Sequence, residues 1–242
     1  MFGVLIDGLS TILFPKTCVV CKNKLKGGIS VDNFVCLACW GKISKNAPPF
    51  CHSCGRHIGK SNSTKNICPK CIRQPLHFDR AFSPCNYDGP VKELIHAFKY
   101  SGKDYLGKTL SNIMSQFILE YNLPINYTDY IIPIPLHSSK LREREFNQAQ
   151  ILSNHIGKTF NKPVLSNALM RFRATKAQVQ LDTEDRMQNV ANSFSLRRDS
   201  DIRGKDILLV DDVLTTGATA SEASKTLKDA GARIIFVLTL AN

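Results

Sequence analysis

The stretch ILLVDDVLTTGATASEA, residues 207–223, decides the fold class of this chain. Its first four residues are apolar and predict a strand that is buried on both faces. Asp211 and Asp212 follow at the carboxyl end of that strand, which is where ligands bind in open α/β sheets. A short Thr/Gly loop then opens a helix, whose apolar face comprises Ala220, Ala223, Leu227 and Ala230. Strand, polar loop and helix in this order predict one unit of an α/β fold.

The loop of this stretch has the composition of a phosphate-binding site. Its polar and flexible residues are Thr215, Thr216, Gly217 and Thr219. A glycine lets backbone N–H groups approach a ligand closely, and the N-terminus of a helix adds a positive dipole. The two aspartates would repel a triphosphate, but they can accept hydrogen bonds from the hydroxyls of a ribose. The chain lacks the G-x-x-x-x-G-K-[ST] pattern, which excludes a P-loop NTPase.

Helical and apolar segments alternate on both sides of this loop. Helices are predicted over 91–99 and 105–121, and a third helical face comprises Phe146, Ala149, Leu152, Ile156 and Phe160. Further strands are predicted at 130–134 and 234–240. This alternation over about 150 residues predicts a parallel sheet that is flanked by helices.

Eight of the nine cysteines form CxxC pairs in the first third of the chain: Cys18/Cys21, Cys36/Cys39, Cys51/Cys54 and Cys68/Cys71. Each CxxC turn can direct two thiolates at one tetrahedral ion, so two pairs complete a Cys₄ zinc site. A disulfide framework is the alternative, but it is typical of secreted proteins. The spacing therefore predicts structural Zn²⁺, and it leaves open which pairs share an ion. The ninth cysteine, Cys85, is predicted to be a small buried hydrophobe.

The net charge of +12 points to a polyanionic partner, and its distribution divides the chain. Residues 1–85 contain 12 Lys/Arg against 3 Asp/Glu, whereas residues 86–242 contain 20 against 17. We therefore predict an N-terminal helix and a double zinc ribbon over 1–85, and a second domain over 86–242. Lysines cluster around the first two CxxC pairs: Lys16, Lys22, Lys24, Lys26, Lys42 and Lys45.

The start of the chain, MFGVLIDGLSTILFPKTC, predicts an amphipathic helix that ends before Pro15. This helix either packs on its own protein or lies on a membrane surface or a partner. It lacks the basic opening and the cleavage site of a signal peptide. No stretch of the chain approaches the roughly 18–20 continuous apolar residues of a membrane-spanning helix. We therefore expect no transmembrane segment and a cytoplasmic location.

Residues 207–219 resemble the motif by which type I phosphoribosyltransferases bind phosphoribosyl pyrophosphate (PRPP). Three further segments narrow the resemblance: IIPIPLHSSKLREREFNQAQILS (131–153), RFRATKAQVQLDTEDRMQN (171–189) and ILFPKTCVVC (12–21). Together they closely resemble the ComF family, which carries an N-terminal double zinc ribbon and a phosphoribosyltransferase domain. The resemblance covers essentially the whole chain. One departure is Glu145, which stands where that family usually has a glycine.

The resemblance implies ligand-binding roles for three groups of residues. Asp211 and Asp212 would contact the ribose, and Thr215, Thr216, Gly217 and Thr219 would hold the 5′-phosphate of PRPP. The pyrophosphate loop would comprise Pro133, Ile134, Pro135 and Leu136, with the cations Lys140 and Arg144 just beyond it. A mobile loop that closes over PRPP would include Arg171, Arg173, Lys176, Gln178 and Arg186. Mg²⁺ would be held largely by PRPP oxygens and waters.

Two classes of function are compatible with these residues. The ComF resemblance implies a PRPP-binding protein in DNA uptake during natural transformation, with single-stranded DNA and a protein of the uptake machinery as partners. The alternative is a catalytically active phosphoribosyltransferase in nucleotide or base salvage, which would displace pyrophosphate from C1 of the ribose. No segment for base specificity is recognisable, so the acceptor nucleophile cannot be named. The catalytic residues stay unassigned. The basic zinc-ribbon module favours the first class, because non-specific strand binding depends on cations.

Overall fold

The computed structural model describes residues 16–25, 30–59, 66–74, 76–173, 190–198 and 200–242. The predicted N-terminal helix lies outside these ranges, as do Lys26, Lys176, Gln178 and Arg186. No helix within the described ranges is long and apolar enough to cross a membrane.

Eight strands and seven α-helices make up the described part of the chain. The strands are β1 (Ser30–Val31), β2 (Val35–Cys36), β3 (Arg80–Phe82), β4 (Tyr130–Pro133), β5 (Leu169–Arg171), β6 (Phe194–Leu196), β7 (Asp206–Val213) and β8 (Ile234–Ala241). The helices are α1 (Leu37–Trp40), α2 (Pro69–Arg73), α3 (Gly89–Tyr100), α4 (Leu106–Glu120), α5 (Ser138–Arg144), α6 (Gln148–Phe160) and α7 (Ala218–Asp229). A single 3₁₀ turn, Pro124–Tyr127, precedes β4.

A four-stranded parallel sheet forms the centre of the fold, with the strand order β3-β8-β7-β4. Strand β7 pairs with β4 on one side and with β8 on the other, and Asp211 lies opposite Thr239. Two antiparallel pairs, β1–β2 and β5–β6, lie outside this sheet. The parallel sheet with flanking helices confirms the predicted fold class.

Both faces of the sheet are covered, which explains why β7 and β8 read as continuous apolar runs. On one face, Leu208 and Val210 of β7 belong to a core that α3, α4 and α6 complete. On the other face, Ile207 and Leu209 belong to a core with α7 and the β5–β6 hairpin. Alternate residues of β7 therefore serve two separate cores, as the period of two in a strand requires.

Three of the first four cysteines belong to the core on the α3–α4 face of the sheet or pack against it, and Cys21 is exposed. Cys18 and Cys39 are buried in that core. The Thr109 hydroxyl of α4 donates to the Asp32 carboxylate at 2.6 Å. The ring of Phe34 lies 4.3 Å from that of Tyr105, centroid to centroid. The first cysteine cluster is thus anchored on helix α4.

The second four cysteines lie in the core on the α7 face of the sheet. The side-chain amide of Asn46 donates to the carbonyls of Gly55 (2.8 Å) and Ser83 (2.9 Å), which joins this ribbon to the end of β3. Gly55 has φ +70° and leaves no room for a side chain against the Ala81 carbonyl. The two groups of cysteines therefore lie on opposite faces of the sheet.

Most of the predicted elements are present, with ends that differ by a few residues. Helices α3 and α4 match the predicted 91–99 and 105–121, and β8 matches 234–240. Strand β7 is longer than the predicted 207–210 and contains both aspartates. Strand β3 and the β5–β6 hairpin were not predicted. Strand β3 precedes residue 86 and yet belongs to the central sheet, so the sheet includes residues from the segment that was assigned to the first domain. The division of the chain at 85/86 stays a prediction.

Candidate functional site

Eight cysteines form two clusters, in which the sulfur atoms lie within 4.8 Å of one another. Cys18, Cys21, Cys36 and Cys39 form the first cluster, and Cys51, Cys54, Cys68 and Cys71 form the second. The Sγ atoms of Cys21 and Cys36 are 3.8 Å apart, as are those of Cys54 and Cys68. A tetrahedral ion with Zn–S bonds of about 2.3 Å requires an S···S edge of about 3.8 Å. Both clusters therefore fit structural zinc, and consecutive CxxC pairs share each site.

The two clusters repeat the same local geometry. The backbone N–H of Cys36 donates to the Cys18 sulfur (3.4 Å), and that of Cys68 donates to the Cys51 sulfur (3.2 Å). Cys36 and Cys68 each precede a short helix, α1 or α2, with nearly identical backbone angles. The ninth cysteine, Cys85, is fully buried as predicted, and burial raises the pKa of its thiol to about 12.

Asp212 forms an ion pair with a lysine that the sequence did not single out. The Lys99 ammonium lies 2.7 Å from Asp212 Oδ1, and the two side chains are 17% and 9% exposed. Burial alone would lower the pKa of Lys99, but the carboxylates of Asp212 and Asp211 outweigh it and raise that pKa. The pair ties the last turn of α3 to the carboxyl end of β7.

Asp211 has a pKa that is raised to about 7. Burial of the carboxyl group is the main cause, and the negative charge of Asp212 adds to it. Lys99 and Arg171 act in the opposite direction, and the Asp212 N–H donates to Asp211 Oδ1 at 2.8 Å. Asp211 therefore exchanges a proton near neutral pH, whereas Asp212 has a cationic partner.

The loop between β7 and α7 has the predicted helix-opening conformation. Gly217 precedes the first residue of α7 and has φ +83°, a conformation that glycine adopts without strain. The Thr216 hydroxyl oxygen accepts a hydrogen bond from the N–H of Ala218 at 3.3 Å. Thr216 is buried and Thr215 is exposed. Thr215, Gly217 and Thr219 therefore surround the N-terminus of a twelve-residue helix, and their phosphate-binding role stays a prediction.

The predicted pyrophosphate loop, 133–136, lies directly beside β7. Pro133 is paired with Val210, and the N–H of Ile134 donates to the Val210 carbonyl at 2.9 Å. The side-chain amide of Asn147 donates to the Ile134 carbonyl at 3.1 Å, which fixes the end of the turn. Residues 133–136 and the two aspartates therefore lie together at the carboxyl ends of neighbouring strands, which we call the carboxyl edge of the sheet.

The two cations beyond this turn have different surroundings. The Lys140 ammonium pairs with Glu143 at 2.8 Å, within helix α5. The Arg144 guanidinium lies over the Tyr100 ring, 4.9 Å from its centroid, and donates to the Tyr100 hydroxyl at 3.1 Å. Tyr100 adjoins Lys99 in the chain, and the Arg144 charge opposes the rise in the pKa of Lys99, so Arg144 lies near the Lys99–Asp212 ion pair.

Glu145 ends helix α5 in the left-handed region, with φ +66°. Glycine adopts this conformation at no steric cost, whereas a side chain makes it unfavourable. The structure thus explains why a glycine suits position 145, and it shows that Glu145 adopts the same kind of turn.

The structure describes two of the five residues that were predicted to belong to a mobile loop, and these two differ in their surroundings. Arg171 is the last residue of strand β5, so it lies in a hairpin and not in a loop. Its guanidinium lies 5.4 Å from the Phe194 ring centroid, and burial lowers its pKa while the Asp211 charge opposes that effect. Arg173 is exposed two residues further on. Lys176, Gln178 and Arg186 are outside the described residues.

Family models match two parts of the chain. A model described as "Double zinc ribbon domain" matches residues 9–76, and one described as "Phosphoribosyl transferase domain" matches residues 151–242. Among solved structures, adenine phosphoribosyltransferase from Leishmania tarentolae aligns with 66% of this chain and 78% of its own, at 14% identity and a TM-score of 0.37.

Curated relatives match nearly the full chain. Competence protein F of Haemophilus influenzae is 30% identical over 231 residues, which are 94% of this chain and 97% of the relative. DNA utilization protein YhgH of Escherichia coli K12 is 27% identical and covers 93% of this chain and 96% of its own. Competence protein ComFC of Bacillus subtilis is 27% identical, with 88% and 89% covered. The chain therefore belongs to the ComF family, with a double zinc ribbon followed by a phosphoribosyltransferase domain.

Proposed function

We propose that this protein binds PRPP at the carboxyl edge of its sheet and serves DNA uptake in natural transformation by handling incoming single strands. The observation that carries the proposal is the placement of Asp211 and Asp212 beside a helix-opening Thr/Gly loop, on β7 and α7. The names of the relatives support the role in DNA uptake. They do not favour the alternative of a salvage phosphoribosyltransferase.

In this proposal the ribose, the 5′-phosphate and the pyrophosphate of PRPP each bind to a different group of residues at the carboxyl edge of the sheet. The ribose hydroxyls donate to the carboxylate of Asp211, and to that of Asp212 where it is not shared with Lys99. The 5′-phosphate lies at the N-terminus of α7, where backbone N–H groups and the helix dipole favour an anion. The pyrophosphate lies along the turn 133–136, with Arg144 as its cation. Mg²⁺ would be held largely by PRPP oxygens and waters, and it would supply positive charge to the phosphate groups.

The proposed strand-binding surface is the lysine group around the first cysteine cluster: Lys16, Lys22, Lys24, Lys42 and Lys45. All five are exposed, and none forms an ion pair with a residue that the structure describes. The acidic side chain among them, Asp32, accepts a hydrogen bond from Thr109. Cations without acidic partners suit a phosphate backbone, and strand binding of this kind is sequence-tolerant. We further propose a cytoplasmic location, where incoming strands arrive.

We expect the protein to bind single-stranded oligonucleotides with little sequence preference and with a steep salt dependence. Each phosphate contact on a single strand contributes about −0.7 to the slope of log K against log salt. Four or five contacts would therefore give a slope of roughly −3. The triple variant K16Q/K24Q/K42Q should flatten the slope by about 2. Fluorescence anisotropy at a series of salt concentrations measures both slopes.

A matched control removes three exposed helical lysines elsewhere, in the variant K92Q/K158Q/K225Q. This control should keep the slope of the wild-type protein. Equal slopes for the two triple variants, or a wild-type protein that retains no oligonucleotide at low salt, would contradict the proposed strand-binding surface.

We expect the affinity for PRPP to rise with pH between about 6 and 8. The pKa of Asp211 is about 7, and only its ionised form presents both carboxyl oxygens as acceptors to the ribose hydroxyls. Affinity should therefore be low where Asp211 is protonated and should level off above its pKa. Calorimetric titration with PRPP and Mg²⁺ at several pH values measures the profile. The variant D211N serves as the control, because any pH dependence that it retains comes from the titration of the ligand or of other groups. The same pH profile in D211N and in the wild-type protein would contradict the assignment of Asp211 to the ribose.

A further inference from the structure

Two cations of the second zinc ribbon converge on the loop that opens α7. Arg56 Nη2 and Lys70 Nζ each lie 3.4 Å from the carbonyl oxygen of Thr215. Arg56 stands two residues after Cys54, and Lys70 stands between Cys68 and Cys71 in the fourth CxxC pair. The two cysteine turns therefore set the position of both cationic groups.

A small cavity separates the second ribbon from the loop. Cys54 and Cys71 line it on one side, and residues 215–217 line it on the other, with Arg56 and Lys70 between them. Among the described residues, no Asp or Glu lines this cavity. An anion that is held by the N-terminus of α7 would thus meet two positive charges on this side, and the negative side chains there would be the zinc-bound thiolates of Cys54 and Cys71.

Further contacts fix the ribbon against the first turn of α7. The backbone N–H of His77 donates to the Ser221 hydroxyl at 3.1 Å. A Cβ atom at Gly217 would lie 3.3 Å from Leu76 Cδ2, so the loop and the segment after α2 are packed closely. A shift of the second ribbon would therefore also displace the loop between β7 and α7.

We propose that Arg56 and Lys70 bind the phosphate group that occupies this loop, and that zinc in the second cysteine cluster and the phosphate ligand stabilise each other. The inference rests on the proposed function, since it concerns the 5′-phosphate of the same PRPP. Coupling between two sites is reciprocal, so zinc in the second cluster raises ligand affinity by the factor by which the ligand raises zinc affinity. The first cluster packs on α4 and serves as an internal reference.

The two cations have a simpler alternative role. Four thiolates leave a zinc centre with a formal charge of −2, which one Arg and one Lys would neutralise. In that case substitution of the cations would weaken zinc retention and leave phosphate affinity unchanged. The two roles therefore differ in a measurable way.

Titration with ribose 5-phosphate isolates the phosphate contact, because this probe lacks the pyrophosphate. We expect R56Q and K70Q each to weaken ribose 5-phosphate and PRPP by about tenfold, as the loss of one charge-assisted hydrogen bond implies. The charge-preserving variants R56K and K70R should retain most of the affinity. R73Q, an exposed arginine on the same helix as Lys70, is the matched control and should bind as the wild type does.

Zinc release to a chromogenic chelator tests the coupling in the other direction. Ribose 5-phosphate should slow the release of one of the two zinc ions several-fold, and this protection should vanish in the double variant R56Q/K70Q. Wild-type affinity for ribose 5-phosphate in R56Q/K70Q would overturn the inference while leaving PRPP binding intact. A wild-type protein that binds neither PRPP nor ribose 5-phosphate would overturn the proposed function as well.

Discussion

Removal of zinc is expected to destabilise the whole protein and not only its first third. Structural zinc sites contribute apparent folding free energies on the order of 10 kcal/mol each at neutral pH. Here Cys18 and Cys39 of the first cluster lie in one of the two cores that cover the sheet, and all four cysteines of the second cluster lie in the other core. Loss of either ion should therefore loosen the packing of α3 and α4 or of α7. Metal analysis of reduced protein should give about two zinc ions per chain, and circular dichroism should show a large fall in the midpoint of thermal unfolding with a chelator.

Single substitutions can separate the two clusters. C36S and C68S should each leave about one zinc ion per chain, because each removes one ligand from a different cluster. C85A is the matched control, since Cys85 is buried but belongs to neither cluster, and it should keep both ions. Freshly reduced protein without zinc, or an unfolding midpoint that the chelator does not change, would contradict the structural role.

The second large effect is expected at the ion pair between α3 and β7. D212N should destabilise the protein by about 3 kcal/mol at neutral pH, because it leaves the Lys99 ammonium largely buried without a carboxylate. The double variant K99M/D212N removes both charges and should recover most of this loss. Urea unfolding at pH 7.5 measures the three free energies of unfolding.

D211N, at the adjacent position, should not lower the free energy of unfolding as D212N does. The pKa of Asp211 in the folded protein, about 7, lies above the ordinary value of about 3.9. The stability that this carboxyl group contributes is therefore present below pH 4 and is lost as the pH rises through 7. D211N should accordingly be as stable as the wild type at pH 7.5, or more stable. A D211N variant that is as unstable as D212N would contradict the distinct environments of the two aspartates.

Local sequence signals account for most of the fold and for the residues of the candidate PRPP-binding site at the carboxyl edge of the sheet. Helices α3, α4 and α6 follow from apolar periodicity, strands β7 and β8 follow from continuous apolar runs, and the cysteine clusters follow from CxxC spacing. Strand β3 has three residues, so no periodic pattern can distinguish it from a loop. It is a strand because β8 pairs with it, and this pairing spans more than 150 residues of sequence.

The residues that the sequence did not reveal depend on contacts between distant segments. Lys99 looks like an ordinary lysine in the last turn of a helix, where cations are common. Only the packing of α3 beside β7 brings it to Asp212. Arg56 and Lys70 likewise read as surface cations of a zinc ribbon until that ribbon is seen against the α7 loop.

The position of β8 inside the sheet has a consequence for folding during synthesis on the ribosome. This strand is translated after every other described element, yet it lies between β3 and β7. Neither core can close before it emerges, and contacts of such long sequence separation form slowly. At synthesis rates of about 5–20 residues per second, the cysteine clusters precede β8 by roughly 10–30 s. In that interval all eight cysteines of the two clusters are already synthesised, so zinc can reach its ligands before the sheet forms.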